Sequence, residues 1–284
     1  MNRFENCPIC NSVKLKELVG FEKDFISQCS DCGFVFAYKI PTHAELLDEY
    51  SKYPRTNLIS EITVQRYKSL LIQLEPYRST NNILDVGAGD GHFIYEAKQC
   101  GWNAYATEFD DKSVALCNQK GVITHQGKLD PSNYGDIKFD IIISSEVIEH
   151  INNEVEEVQN FFKLLRPGGI VYVTTPNFNS VSKKLLGSKW SVFSYPEHLA
   201  YYTPHTLKKL FRNSGFKTLS VKTTGISPSR LYAKENEGYD GTRDEELRIK
   251  TESSFIWNTA KKLANGFLNF SKSGDTITCL FQKI

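Results

Sequence analysis

The chain has 284 residues, 40% of them hydrophobic and 24% charged. At about 150 residues per domain this fits one large domain with a small annex, and it excludes wholesale disorder or a collagen-like repeat. Lysine plus arginine number 34 against 33 for aspartate plus glutamate, a net charge of +1 that offers no broad basic field to attract nucleic acid.

No stretch approaches the roughly 18 apolar residues of a membrane span, and the opening MNRFENCPIC lacks the apolar run of a secretory signal. The expectation is therefore a cytoplasmic protein whose seven cysteines serve as metal ligands or buried thiols, not as a disulfide framework. Four of them form two C-x2-C pairs, Cys7/Cys10 and Cys29/Cys32, eighteen residues apart. Each pair can occupy a tight turn that points two thiolates at one ion, and two turns complete the tetrahedron of a structural Zn2+ site. The forty residues of this predicted zinc ribbon, 1–40, bury little core, so the metal would supply much of their folding energy. Cys100, Cys117 and Cys279 fall on predicted helices or a strand and read as core thiols.

Residues 41–80 read as a helical cap or linker, with Ile62, Tyr67, Leu70, Leu71 and Leu74 at helical spacing until Pro76. Tyr53, Arg55 and Tyr67 belong to this stretch, which is expected to cover a ligand site in the domain that follows. From Asn82 strands and helices alternate. Strands are predicted at 83–86, 103–107, 122–125, 139–144 and 170–174, with a helix at 152–165 that stops at Arg166-Pro167-Gly168-Gly169. Thr203-Pro204 opens a further helix, and strands follow at 216–223 and 275–282. Strands separated by helices imply right-handed crossovers and a parallel sheet over a domain at 81–284. A charged, helix-prone insert at about 226–272 interrupts it. There Glu235–Gly241 is a polar loop, and Phe255, Trp257, Leu263, Phe267 and Phe270 make an apolar stripe that reads as core or, less often, as a dimer face.

The first strand runs into Leu84-Asp85-Val86-Gly87-Ala88-Gly89-Asp90-Gly91. Glycines let a strand-to-helix turn bend sharply and approach a ligand. Glu108 follows Gly87 by 21 residues at the end of the second strand, where a carboxylate can accept hydrogen bonds from both ribose hydroxyls of an adenosine. A dinucleotide loop needs G-x-G-x-x-G; here His92 stands at the third glycine. Asp85 adds a carboxylate that repels a pyrophosphate and suits a cationic amino-acid group.

At these residues the chain resembles the class I S-adenosylmethionine-dependent methyltransferases. The resemblance rests on LDVGAGDG (84–91), Glu108, FDIIISSEVIEH (139–150) and LLRPGGIVYVTTPN (164–177), whose order and spacing extend it over roughly residues 80–223. It implies an α/β, Rossmann-like fold with a seven-stranded, mostly parallel sheet and an antiparallel last strand at 275–282. It further implies S-adenosylmethionine as cofactor, with Gly87, Ala88, Gly89 and Gly91 around its methionine part, Asp85 close to that part, and Glu108 with Phe109 at the ribose. Lys128 and Leu129 would flank adenine, and Ser145 would border the site.

The methyl acceptor would sit beyond the carboxyl ends of the strands. After the fourth strand comes Glu146-Val147-Ile148-Glu149-His150. As one helical turn, this segment would set Glu146, Glu149 and His150 on a shared face. His198, in the loop after the fifth strand, reaches the same rim. Three readings follow: a Mn2+ or Mg2+ ion that lowers the pKa of an acceptor oxygen, general-base work by His150, or a polar turn with a purely structural role. E-x-x-E-H with a later histidine is similar to the metal site of small-RNA 2′-O-methyltransferases, and its first part to ubiquinone-pathway O-methyltransferases. Trp190, Phe193, Tyr195, Tyr201 and Tyr202 form either an aromatic wall for a sugar or nucleotide, or a lid over the core. The zinc head, glycine-loop domain and late insert together resemble methyltransferases of bacterial surface-polysaccharide and modified-sugar pathways. That implies O-methylation of a small polar acceptor, a sugar or a sugar- or nucleotide-linked oxygen. An RNA 2′-O-methyltransferase and a non-catalytic zinc-ribbon binding module are the alternatives.

Overall fold

The computed structural model describes residues 3–51, 59–226 and 255–284. Three short strands open the chain, β1 (Leu15–Glu17), β2 (Ile26–Cys29) and β3 (Val35–Ala37), paired antiparallel in sequence order. Helices α1 (His43–Ser51) and α2 (Glu61–Leu74) follow. Ser60 caps α2 by accepting from the Thr63 amide. Leu71 and Leu74 bury its inner face against Phe93, Ile94 and Ala97, as the spacing of its apolar residues requires. Tyr53, Arg55 and Glu235–Gly241 lie outside the described residues.

The alternation from Asn82 gives β4 (Asn82–Val86), α3 (His92–Gln99), β5 (Asn103–Glu108), α4 (Asp111–Gln119), β6 (Ile123–Gln126), β7 (Phe139–Ser145), α5 (Glu154–Leu164) and β8 (Leu165–Pro176). It continues through α6 (Val181–Leu186), β9 (Ala200–Tyr201), α7 (Pro204–Asn213), β10 (Phe216–Thr224), α8 (Phe255–Phe270) and β11 (Thr276–Lys283). The seven-stranded sheet has the order β10-β11-β8-β7-β4-β5-β6. Strands β6, β5, β4, β7 and β8 are parallel, and β11 lies antiparallel between β8 and β10. The chain moves outward from β4 in one direction to β6 and then resumes at β7 on the other side. The crevice at the carboxyl ends of β4 and β7 is thus the topological switch point, where ligands bind in open sheets of this kind.

Asp140 explains two of the sequence motifs at once. It is fully buried in β7, accepts from the amides of Ser79, Thr80 and Asn81 at 2.8–3.0 Å, and pairs with Arg166 at 2.5 Å. One carboxylate therefore ties the turn before β4 to the start of β8. This tie places Arg166-Pro167-Gly168-Gly169 inside β8 and not in a helix-ending loop: Leu165 pairs with Phe139, a bulge follows, and Gly168 takes a φ of 77°.

Two core expectations are corrected. Cys117 and Cys279 are buried, but Cys100 is exposed at the end of α3. On α8, Leu263, Phe267 and Phe270 are 73%, 69% and 87% exposed. The helix instead turns Leu268 and two asparagines inward. Asn265 and Asn269 accept from the Gly225 and Thr223 amides at 2.9 and 3.1 Å, satisfying backbone groups that apolar side chains would leave orphaned. The side chains of Phe255 and Trp257 lie outside the described residues.

The N-terminal sheet is not closed by residues 1–40. Its fourth strand is β9, with Val35 opposite Tyr201 and Phe36 opposite Ala200. Phe34 and Tyr202 pack in one continuous core with Leu84, Ile142 and Val173 of the large sheet. Trp190, Phe193, Tyr201 and Tyr202 are buried. They therefore do not form an exposed wall: Trp190, Phe193 and Tyr201 pack with Ile26 and Val35 in a cluster on the N-terminal sheet.

Candidate active site

At the head, Cys7, Cys10, Cys29 and Cys32 bring their sulfurs within 4.8 Å of one another. The Cys7–Cys32 and Cys10–Cys29 sulfurs are each 3.6 Å apart. Zn–S bonds of about 2.3 Å place the corners of a tetrahedron about 3.8 Å apart, so the four thiols fit that ion. Burial and the neighbouring Cys32 push the Cys7 thiol up. At Cys29 burial also raises the value, but the amides of Cys32 and Asp31 and the adjacent sulfurs outweigh it and bring the thiol down to about 7.

In the switch-point crevice the glycine loop adopts φ values of 69°, 54° and 74° at Gly87, Gly89 and Gly91, the left-handed region that side chains resist. A Cβ on Gly87 would lie 2.5 Å from Val147, and one on Gly91 would lie 2.6 Å from the Cys117 sulfur; one on Gly89 would meet nothing within 4 Å. The loop is packed on both flanks and open at its centre. The Thr107 carbonyl anchors its start, accepting from Gly87 and Ala88 at 2.9 and 3.1 Å.

Glu108 holds the loop from the side. It accepts from the Gly89 amide at 2.7 Å through one oxygen, and from Phe109 and Asp110 at 2.7 and 3.2 Å through the other. Asp85 is buried, and burial with the adjacent Glu108 charge pushes its carboxyl up to about 8. A buried acid held protonated beside an open glycine turn is a place that a cationic ligand would complete. Leu129 is buried in the core, where its carbonyl accepts from Asn160 at 3.3 Å. Of the expected adenine flank, Lys128 alone is exposed. The exposed Ser145 has its hydroxyl 2.9 Å from that of Thr174.

Beyond β7 the chain is not helical until Ile148–His150, a single 3-10 turn, and Glu146 takes a φ of 54°. The shared face expected for Glu146, Glu149 and His150 therefore does not form. The residues that converge are Glu149, His150 and His198, with one ligand atom of each within 4.8 Å of the others. Glu146 is exposed and stands outside this group, its carbonyl facing the His150 ring. Glu149 is buried and accepts from the Thr175 hydroxyl at 3.0 Å.

The two imidazoles lie 4.7 Å apart. His150 Nδ1 is 2.8 Å from the Glu197 carbonyl, and His198 Nδ1 is 2.6 Å from the Val192 carbonyl. A carbonyl only accepts, so His198 Nδ1 carries the proton and its Nε2 the lone pair, the arrangement by which proteins orient histidine ligands, while the His150 ring faces two carbonyls, those of Glu197 and Glu146. Burial, then the neighbouring His198, lowers His150 to about 4, which keeps its imidazole neutral near pH 7. Val192 and Glu197 carry no motif of their own, and Thr175 lies in the 164–177 stretch with nothing there to mark it as a partner of Glu149. Only their side-by-side placement with Glu149 and the histidines gives them a role, so no signal in the sequence marks them.

A family model described as a methyltransferase domain matches residues 59–221, more than half of the chain. A ubiquinone biosynthesis O-methyltransferase of Roseobacter denitrificans is 24% identical over 206 residues, 65% of this chain and 82% of that protein. A malonyl-[acyl-carrier protein] O-methyltransferase of Pectobacterium atrosepticum is 23% identical over 139 residues, 48% of this chain and 54% of that protein. The chain spans about half the length, or less, of several curated relatives it matches. A crystal structure of a methyltransferase from Archaeoglobus fulgidus superposes with a TM-score of 0.52 at 15% identity, over 85% of this chain and 100% of that one, which shows the fold. Among the described residues no helix is long and apolar enough to cross a membrane. The glycine loop, the switch-point crevice, the sheet order and the matched family together place the chain in the methyltransferase-domain family, with the fold of the class I S-adenosylmethionine-dependent methyltransferases.

Proposed function

We propose that the chain methylates an oxygen of a small polar acceptor, and that Glu149, His150 and His198 form the acceptor side of the site and hold a divalent metal ion there. The observation that carries this reading is the convergence of these three side chains, two of them just after β7 in the segment whose Val147 packs against Gly87. Oxygen as the acceptor atom is supported by the O-methyltransferases among the relatives. A sugar or sugar-linked acceptor, in surface-glycan assembly, rests on the likeness of the head-and-domain arrangement to methyltransferases of those pathways.

S-adenosylmethionine, when bound, supplies an electrophilic methyl on a sulfonium sulfur. Asp85 would hold its cationic methionine part and Glu108 its ribose, with the open centre of the loop at Gly89 against it. An ion held by Glu149, His150 and His198 would polarise the acceptor oxygen and ease its deprotonation. Two bonds of about 2.1 Å span at most ~4.2 Å, so the three ligand atoms need to close only slightly. Without Glu146 the donor set is one carboxylate and two imidazoles, which favours first-row transition metals over Mg2+. Val192, Glu197 and Thr175 orient the three donors.

Calorimetric titration with S-adenosylhomocysteine tests the cofactor assignment, and no binding at millimolar concentration would reject it. After chelation of weakly held metal, titration with Mn2+ followed by electron paramagnetic resonance should show one bound ion per chain. Glu149→Gln and His198→Asn should each abolish it while S-adenosylhomocysteine affinity stays within threefold. Cofactor binding without Mn2+ binding would reject the metal and leave general-base work by His150 as the reading.

A further inference from the structure

We propose that the four-cysteine head is a positioning element of the acceptor side of the active site, acting through the β3–β9 pairing on His198. The proposal rests on the reading of Glu149, His150 and His198 as that side. Cys29 ends β2, the turn through Cys32 and Gly33 returns to it through Gly33 N–H to the Cys29 carbonyl at 2.9 Å, and β3 starts three residues beyond Cys32. The metal knuckle thus leads directly into the strand that meets the large domain.

Strand β3 meets it at the segment that carries His198. The Ala37 amide donates to the Leu199 carbonyl at 2.8 Å, and the Leu199 amide donates onward to the Glu149 carbonyl at 2.7 Å. Leu199 is therefore held between the head and the β7–α5 connection, one residue from His198. The Tyr201 hydroxyl donates to the His198 carbonyl at 3.0 Å, and Tyr201 sits opposite Val35 of β3. The Val192 carbonyl that fixes the His198 ring belongs to a buried cluster with Ile26 and Val35 of the head. Phe21 and Phe25 of the head contact Phe193 and Tyr195 edge to face at 4.7 and 4.9 Å. Both ends of the 192–201 segment, and the carbonyl that sets the tautomer of its histidine, are thus supported by residues before position 40.

The cofactor side has different supports. The glycine loop is held by Thr107, Glu108, Val147 and Cys117, none of them in the head. Loss of the head metal should loosen His198 and Leu199 and leave residues 87–91 as they were. A merely structural domain would disturb both regions together.

The test uses the full chain labelled with 15N at histidine and backbone. It compares the zinc-loaded protein, the protein stripped with a strong chelator, and Ala37→Pro, which deletes the single donor to Leu199 and leaves every cysteine in place. In the last two, the His198 ring signals should move from the Nδ1–H form toward the mixed tautomers of a free imidazole. Leu199 amide exchange should quicken about tenfold, the worth of one hydrogen bond, with exchange at 87–91 unchanged. Unaltered His198 and Leu199 signals in the stripped protein would overturn the proposal, as would equal quickening at 87–91. Neither readout requires a bound cofactor or acceptor. A failure of S-adenosylhomocysteine or Mn2+ to bind therefore counts against the proposed function separately, and the ring signals still decide this one.

Discussion

Replacing Glu108 by glutamine is the sharpest test of how the cofactor loop is built. From the sequence, glutamine is the milder replacement, because it keeps an oxygen for a ribose hydroxyl. The structure reverses that expectation. Both carboxylate oxygens accept from backbone amides, one from Gly89 and the other from Phe109 and Asp110, at 2.7–3.2 Å. A carboxamide has one oxygen; if it faces Phe109, its NH2 group confronts the Gly89 N–H, and if it faces Gly89, two donors are orphaned. At least one charge-assisted bond is lost, worth about 1.5–3 kcal/mol. S-adenosylhomocysteine affinity should therefore fall roughly 10- to 150-fold in Glu108→Gln, close to the loss in Glu108→Ala, where water replaces the carboxylate. Calorimetric titration measures both, with circular dichroism to check that the variants fold. Glu108→Gln binding within threefold of the parent chain would refute the reasoning, because the amide contacts to the carboxylate would then not hold the loop in its binding form.

Asp85 makes the stability of the free protein depend on pH. Its folded-state value of about 8 lies above the ordinary 3.8, so the native chain holds a proton that the unfolded chain has released. That contribution is full below about 4 and is lost as pH rises through about 8. Glu154 and Glu157, each raised to about 7 by burial, act in the same direction. The melting temperature should fall between pH 5 and 8.5, and fall less in Asp85→Asn; superimposed profiles would contradict the assignment. Asp140→Ala should cost about 3–5 kcal/mol by leaving Arg166 and three amides without their shared acceptor, and a denaturant-unfolding midpoint near that of the parent chain would count against it. Cys7→Ser should lower the single thermal transition of the whole chain, because the head shares its core with the large sheet. A separate early transition that leaves the main one in place would show that the head unfolds alone.

Much of this protein is readable in its sequence because the carrying signals are local. Alternating apolar runs and helix stops mark the strands and crossovers, C-x2-C spacing marks two knuckles, and the glycines of 87–91 with Glu108 after the next strand mark the cofactor crevice. Backbone geometry within a few residues determines each of these. What the sequence alone does not contain is which distant segments become neighbours. The helical turn expected for Glu146, Glu149 and His150 fails because Glu146 turns through a positive φ, and the three converging residues instead come from the turn after β7 and the 192–198 loop, with Thr175 of β8 holding Glu149. The aromatic residues near 190–202 bury themselves against Ile26 and Val35 because the N-terminal sheet lacks an edge partner until β9 supplies one. Helix α8 turns asparagines inward because the amides of Thr223 and Gly225 must be satisfied there. Each of these outcomes depends on a contact between segments more than twenty residues apart, and a buried hydrogen bond or a shared strand is decided by the partner that folding delivers, which only the tertiary structure supplies.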